Sequence, residues 1–342
     1  MDDFIQSEAE LEARLSEPSP EDIALFQKMD GDLAIIGAAG KMGPSLARRA
    51  ARAARAAGVK KRIVGVSRFS EPGSESFLQE AGVETLRADL LDPAAFATLP
   101  DAANVIFMAG RKFGSTGAES LTWAMNAYLP ALVAERYRES RIVAFSSGNV
   151  YPLVPLRSGG ATEDLAPEPV GEYAQSVLAR ERLFEHFSRT HGTAVTLLRL
   201  NYATDLRYGI LLEIGSKVFE ERSVDVTMGA VNVIWQGDAN SAALRSLPLA
   251  QSPPFILNLT GPETLSVRTV AEIFGQIFGK TPVLEGKEAP TALLSNAARC
   301  RRLLGLPSVT ASRIIDWTAH WIKMGGKTLG KPTHFEARDG KF

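Results

Sequence analysis

An α/β fold built on a doubly wound parallel sheet, with a smaller C-terminal α/β lobe, is what this chain predicts, on three observations. From Asp32 to about residue 200, short apolar runs of strand length alternate with helix-like stretches, the pattern that lays parallel strands under crossover helices. Three glycines spaced by three stand between the first such run and the helix after it. Beyond residue 200 the alternation loosens into segments such as LEIGSKVFEERS and SVRTVAEIFGQIFG, which read as peripheral helices.

Each element follows in order. Residues 1–30 read as a helical extension, because Ser19-Pro20-Glu21-Asp22 joins a capping serine, a first-turn proline and two acids near the positive end of the helix dipole. DLAIIG is the first strand, and PSLARRAARAARAAG a helix closed by Gly58 whose arginines read as a solvated face. RIVGVS, VETLRADL, NVIFMAG, RIVAFSS and TAVTLLRL supply further strands. The main α/β domain is thereby expected over 31–200, with 231–259 returning to it. The smaller lobe takes 201–230 and 260–330, and 331–342 is left as a tail. EYAQSVLARERLFE has helical spacing with Tyr173 near its start, and one turn later on the same face stands Val177. Trp317 and Trp321, one turn apart in RIIDWTAHWIKM, read as a core or interface stripe.

The bulk numbers narrow the function. The 342 residues are 45% hydrophobic and 23% charged, ordinary globular composition, and the formal net charge of -1 gives no reason to expect nucleic acid or an anionic membrane surface as partner. The single cysteine, Cys300, precludes an internal disulfide and fits a buried helical position in a reducing cytoplasm. MDDFIQSEAELEARL lacks the basic start and apolar run of a signal peptide, and no apolar segment reaches the roughly 20 residues of a membrane span. A cytoplasmic protein is expected. His186, His191, His320 and His334 have no metal-ligand spacing, so no metal is expected. His186 is expected on the outer face of the Tyr173 helix.

IIGAAGKMGPSLARRA places Gly37, Gly40 and Gly43, with Ala39, Lys41 and Met42 between them, after a strand and at the mouth of a helix. Glycines there allow a tight turn and close approach of a pyrophosphate to the helix N-terminus, a Rossmann-type cofactor site. A second strand serving NAD normally ends in an acid for the ribose 2′-hydroxyl. Here it ends Val66-Ser67-Arg68, and a guanidinium suits a 2′-phosphate. NADP(H) is therefore favoured, with Lys41 as added positive charge and NAD(H) possible. The alternative is that Arg68 stacks on the adenine or faces solvent.

Together these motifs resemble the extended short-chain dehydrogenase/reductase family, the NAD(P)-dependent epimerase/dehydratases that mostly act on sugars. The resemblance runs from about residue 32 to 325. It implies that Asp89, beside Leu90 in RADLLD, bonds the adenine, that Ala109 and Gly110 end the strand over the cofactor, and that Asn126 is the helix asparagine. It implies Ser147 as the catalytic serine, four residues before Tyr151 in SSGNVYP, and Tyr173 as the catalytic tyrosine and a nicotinamide neighbour. Asp238 and Asn258 are later landmarks, and a homodimer through helices of the sheet layer is the implied assembly.

Two departures matter. Val177 stands where the family has a lysine that lowers the tyrosine pKa; without it, a phenol of pKa ~10 is only about a thousandth ionised at pH 7. Tyr173 is then a poor base but a competent acid, which favours carbonyl reduction over alcohol oxidation. Lys112, after the fourth strand, is the candidate replacement cation, its alternative being a solvated loop lysine. Gly148 and Asn149 replace the Asp-Glu of the sugar dehydratases, which discounts dehydration. The expectation is an NAD(P)-dependent oxidoreductase or epimerase acting on a sugar or sugar-acid carbonyl, reduction favoured. Its alternative is a catalytically altered NADP(H)-binding sensor.

Overall fold

The computed structural model describes residues 4–112, 114 and 116–341; residues 1–3 of the extension and 342 of the tail lie outside the described residues. Seven strands form one parallel sheet: β1 (Leu33–Ile36), β2 (Ile63–Ser67), β3 (Glu84–Arg87), β4 (Asn104–Phe107), β5 (Arg141–Ser147), β6 (Val195–Leu200) and β7 (Phe255–Leu259). Their order is β7-β6-β5-β4-β1-β2-β3. The chain starts in the middle, winds out to β3, then crosses back to β4 and runs to β7. Ile36 therefore lies beside Val66 on one side and Phe107 on the other, and the order reverses where β1 meets β4. Crevices for ligands open above such reversals.

Twelve helices complete the described chain: α1 (Glu8–Leu15), α2 (Pro20–Lys28), α3 (Gly43–Ala56), α4 (Ser74–Gln79), α5 (Glu119–Trp123), α6 (Leu129–Arg136), α7 (Gly171–His191), α8 (Ile210–Phe219), α9 (Gln236–Arg245), α10 (Val267–Phe278), α11 (Ala298–Leu304) and α12 (Ala311–Lys323). A π turn, Ala124–Tyr128, joins α5 to α6. Strand side chains alternate between faces, so Leu33 and Ile35 pack with α3 and α9 while Ala34 and Ile36 pack with α6 and α7. Burial on both faces explains why the strands read as continuous apolar runs. A second core gathers α8, α10 and α12 and includes Trp317 and Trp321. Cys300 is buried in α11, and His186 is exposed on α7.

The N-terminal extension ties the two cores together. Leu11 and Leu15 of α1 enter the second core, whereas Phe26 of α2 enters the sheet-layer core. Ser19 and Asp22 form a reciprocal capping box at the start of α2. Asp22, fully buried, also pairs with Arg49 at 2.6 Å and accepts from Ser241 at 2.7 Å. This corrects the expectation of a solvated arginine face on α3. Arg49 is buried under α2, and Arg52 donates to the Ala13 carbonyl at the end of α1. The C-terminal segment is likewise no loose tail. Phe335 is 1% exposed within the second core, and Thr333 donates from both N–H and hydroxyl to Glu213.

Candidate active site

The glycine loop builds a cradle because its residues leave no room for side chains elsewhere. Gly37 has φ +96°, and a Cβ there would come within 2.6 Å of the Ala109 nitrogen. One at Gly43 would meet the Ala38 carbonyl oxygen at 2.4 Å, so α3 can begin tight against the loop. At Gly40 a Cβ would meet only the Gly37 carbonyl of its own loop within 4 Å, so a side chain would project into the cleft above. A cavity of about 220 Å³ opens there, lined by Gly37, Ala39, Ser67, Arg68, Asp89 and Leu90 among others. Gly40, Met108 and Gly110 belong both to it and to a second cavity of about 410 Å³, making one cleft along the ends of β1, β4 and β5. The open cradle at a helix N-terminus, with adenosine-sized space beside it, fits a dinucleotide. Arg68 is exposed at the rim, its carbonyl held by Arg87 at 2.8 Å. Asp89 accepts from the Leu91 N–H at 3.0 Å.

At the larger cavity β5 and α7 bring Ser147 and Tyr173 together, with Tyr173 on the wall and Ser147 outside the lining. The Ser147 hydroxyl donates to Asn149 Oδ1 at 3.0 Å and accepts from the Asn149 N–H at 3.2 Å. It also hydrogen-bonds the Tyr173 phenol, which lowers that group's pKa, as does the charge of Arg180; burial outweighs both and leaves the phenol above its ordinary value. Ser146 and Asn149, flanking Ser147, line the cavity with Tyr173. Val177 is 1% exposed and belongs to the second core with Val150 and Tyr151.

The cation beneath Tyr173 comes instead from two turns along the helix. Arg180 is 6% exposed and donates to the Phe145 carbonyl at 2.7 Å and to Asn126 Oδ1 at 2.8 Å. Its Nε is buried without a partner. Burial lowers its pKa to about 10, so it remains charged at neutral pH. Sequence reasoning missed this residue; the signal was its seven-residue spacing from Tyr173, which returns to the same helix face.

Three expectations need correction or refinement. Asn126, in the π turn, has no capacity left for a cofactor. Its Oδ1 accepts from the Arg111 N–H and from Arg180, and its amide donates to the Arg111 carbonyl and Ser176. It positions Arg180. Lys41 does not lie beside Arg68: its ammonium stands 3.7 Å above the Tyr208 ring centre and donates to the Ala203 carbonyl at 3.1 Å, in the larger cavity with Met42. Desolvation lowers its pKa to about 7. Lys112 is no solvated loop lysine. Its Nζ lies 5.8 Å from the Tyr173 ring centre and 3.4 Å from the Thr333 carbonyl, and burial lowers its pKa to about 8.

Behind the site a buried network fixes β5, α7, β6 and β7. Glu181 accepts from Ser146 and pairs with Arg199 at 2.7 Å; Arg199 donates to Tyr151, which donates to Asn258. Asn258 and Asp238 thus lie away from the cleft, the latter accepting from Ser308. Among the described residues no cluster of His, Cys, Asp or Glu could hold a metal, and no helix is long and apolar enough to cross a membrane.

Comparison places this geometry among known folds. A UDP-glucuronic acid 4-epimerase from Bacillus cereus, solved with UDP-glucuronic acid and NAD, superposes with a TM-score of 0.71 at 17% identity, covering 86% of this chain and 99% of that one. A UDP-glucose 4-epimerase from Thermotoga maritima, solved with UDP-glucose, gives 0.70 at 15% identity, with the same coverage. An epimerase from Methanothermobacter thermautotrophicus gives 0.72 at 16% identity, covering 90% of this chain and 96% of that one. No curated protein matches the sequence. The family model of the NAD dependent epimerase/dehydratases matches residues 33–203, half of the chain. With the glycine cradle at the sheet reversal and the Ser147–Tyr173 pair at the end of β5, that match means the chain belongs to the NAD dependent epimerase/dehydratase family.

Proposed function

We propose that the protein is an NAD(P)-dependent oxidoreductase or epimerase of the extended short-chain type acting on a sugar or sugar-acid carbonyl, with reduction by NADPH the favoured direction. One observation carries the reading: Tyr173, hydrogen-bonded to Ser147, lines the far end of a cleft that begins on the glycine loop. The sugar class draws support from the structural neighbours, whose bound molecules are UDP-sugars. The preference for NADP(H) rests on Ser67 and Arg68 at the adenosine end, where a guanidinium can bond a 2′-phosphate.

A bound nicotinamide would supply the hydride. The chain's own residues handle the oxygen. Ser147 and Tyr173 both offer hydroxyl hydrogens to the substrate carbonyl, and Tyr173 passes its proton to the oxygen as negative charge develops there. The phenolate left behind is stabilised by the Arg180 guanidinium. Lys112, still largely an ammonium at pH 7, is the nearby proton carrier that restores the phenol.

Val177 favours a second reading, a dinucleotide-binding sensor without turnover. Absorbance assays of NADPH consumption with a panel of keto sugars separate the two. The enzyme reading expects turnover that Tyr173→Phe lowers by roughly 10²-fold or more, with NADPH affinity within about twofold of wild type. Full activity in Tyr173→Phe would remove the phenol from the mechanism, and no turnover with any keto sugar would leave the sensor.

A further inference from the structure

The larger cavity has a charge imbalance that hydride chemistry alone does not use. Lys41, Arg111, Lys112, Arg180 and Lys331 line it, and no carboxylate does. Arg180 is bound into the frame beneath Tyr173, and the Arg111 side chain donates to the Gly114 carbonyl. Three lysines reach the same space from three distant segments, Lys41 donating to the Ala203 carbonyl and Lys112 to the Thr333 carbonyl. Lys41 lies against Tyr208; Lys112 stands between Tyr173 and Tyr202, 6.0 Å from the latter's ring centre; Lys331 arrives on the C-terminal segment two residues before Thr333.

Two of the neighbouring carboxylates, Asp205 and Glu213, support Lys41 and Lys112 by charge but also have other partners. Asp205 pairs with Arg207 at 3.0 Å, and Arg207 pairs with Glu12 at 2.6 Å. Glu213, the acid nearest in effect to Lys112, accepts two bonds from Thr333 and faces Lys217 at 3.8 Å. Desolvation is the main cause of the lowered Lys41 pKa; Asp205 opposes it, while Lys112, Arg207 and Lys331 add to it. Gathering like charges around a half-enclosed space is unfavourable, and a bound anion offsets it. Lys112 brings this positive charge near Tyr173, 5.8 Å from its ring centre.

We propose that the lysine-lined end of this cavity binds the carboxylate or phosphate of an anionic carbonyl sugar, with Lys41, Lys112 and Lys331 holding the charge beside the carbonyl that Tyr173 serves. The proposal rests on the Ser147–Tyr173 reading above. It also places part of the substrate selectivity in the C-terminal segment, outside residues 33–203 that match the family model.

The test is calorimetric titration of the protein, NADPH-loaded and dinucleotide-free, with two matched pairs: UDP-glucuronic acid against UDP-glucose, and glucose 6-phosphate against glucose. The expected result is a preference of about tenfold or more for the member of one pair that carries the additional carboxylate or phosphate. Which pair responds tells carboxylate from phosphate. Lys41→Met and Lys331→Met should each reduce that preference about fivefold or more, while Lys331→Met keeps NADPH affinity within about twofold. Equal affinity within both pairs, or a preference that survives both substitutions, overturns the anion site. If NADPH fails to bind but the dinucleotide-free protein keeps the preference, the anion site stands and the hydride reading falls. If NADPH binds and neither pair shows an anionic preference, the anion site falls and the hydride reading stands.

Discussion

In the proposed mechanism Tyr173 would set the direction of the chemistry, because burial outweighs the bond from Ser147 and the charge of Arg180 and raises its pKa. A phenol whose pKa is raised above 10 stays protonated across the neutral and mildly alkaline range. Reduction, which needs the proton, should therefore show no loss from this group up to about pH 9. Alcohol oxidation needs the phenolate and should rise by about tenfold per pH unit over the same range. Profiles of kcat in each direction check this; an oxidation rate that levels off near pH 7 would mean a phenol with a lowered pKa. Val177 supplies a second prediction. It lies 1% exposed in an apolar core, on the helix that also carries the buried Arg180. Val177→Lys should not recreate the family's usual pair. It buries an unpaired ammonium beside an existing cation and should cost about 3 kcal/mol or more, measured by chemical denaturation. A variant as stable as wild type, with faster oxidation, would contradict this.

At the scale of elements, α2 is held by one residue more than by its length. Asp22 caps the Ser19 N–H, pairs with Arg49 and accepts from Ser241, all while fully buried. Asp22→Ala should destabilise the protein by about 3 kcal/mol or more, since it strands a buried guanidinium. Ser19→Ala removes one cap bond and should cost about 1 kcal/mol. Equal losses in denaturant titrations would mean that the ion pair contributes little. The same helices show what a sequence makes legible. The strands and the glycine loop could be read because their signals are local: apolar runs bounded by glycine, and a turn that admits no side chain. The roles of Ser147 and Tyr173 followed from the resemblance of their segments to the family's motifs. Spacing puts Arg180 on the Tyr173 face of its helix, but its role was not legible, since that lies in partners 35 and 54 residues away, the Phe145 carbonyl and Asn126. Lys41 read as a neighbour of Arg68 because both follow early strands; the ring of Tyr208 and the Ala203 carbonyl turn it the other way. The α3 arginines read as solvated because the extension that covers them belongs to no recurring strand-helix unit.

For the whole molecule, the reversal of strand order between β1 and β4 and the packing of the second core against β5 and α7 produce one cleft with two chemical ends. On the proposed reading, Arg68 and the cradle form the adenosine end, and Ser147, Tyr173 and the surrounding cations form the reacting end. The extension and the C-terminal segment pack into the same cores and brace this arrangement from outside the family's matched span. The central claim is that the cleft is a dinucleotide site built for NADP(H). Fluorescence titration of the purified protein with NADPH and, separately, NADH tests it most directly. A guanidinium–phosphate bond at Arg68 predicts NADPH binding tighter than NADH by about tenfold or more, with the difference lost in Arg68→Ala. Equal or tighter binding of NADH would contradict the Arg68 assignment, and binding of neither would contradict the cofactor site itself.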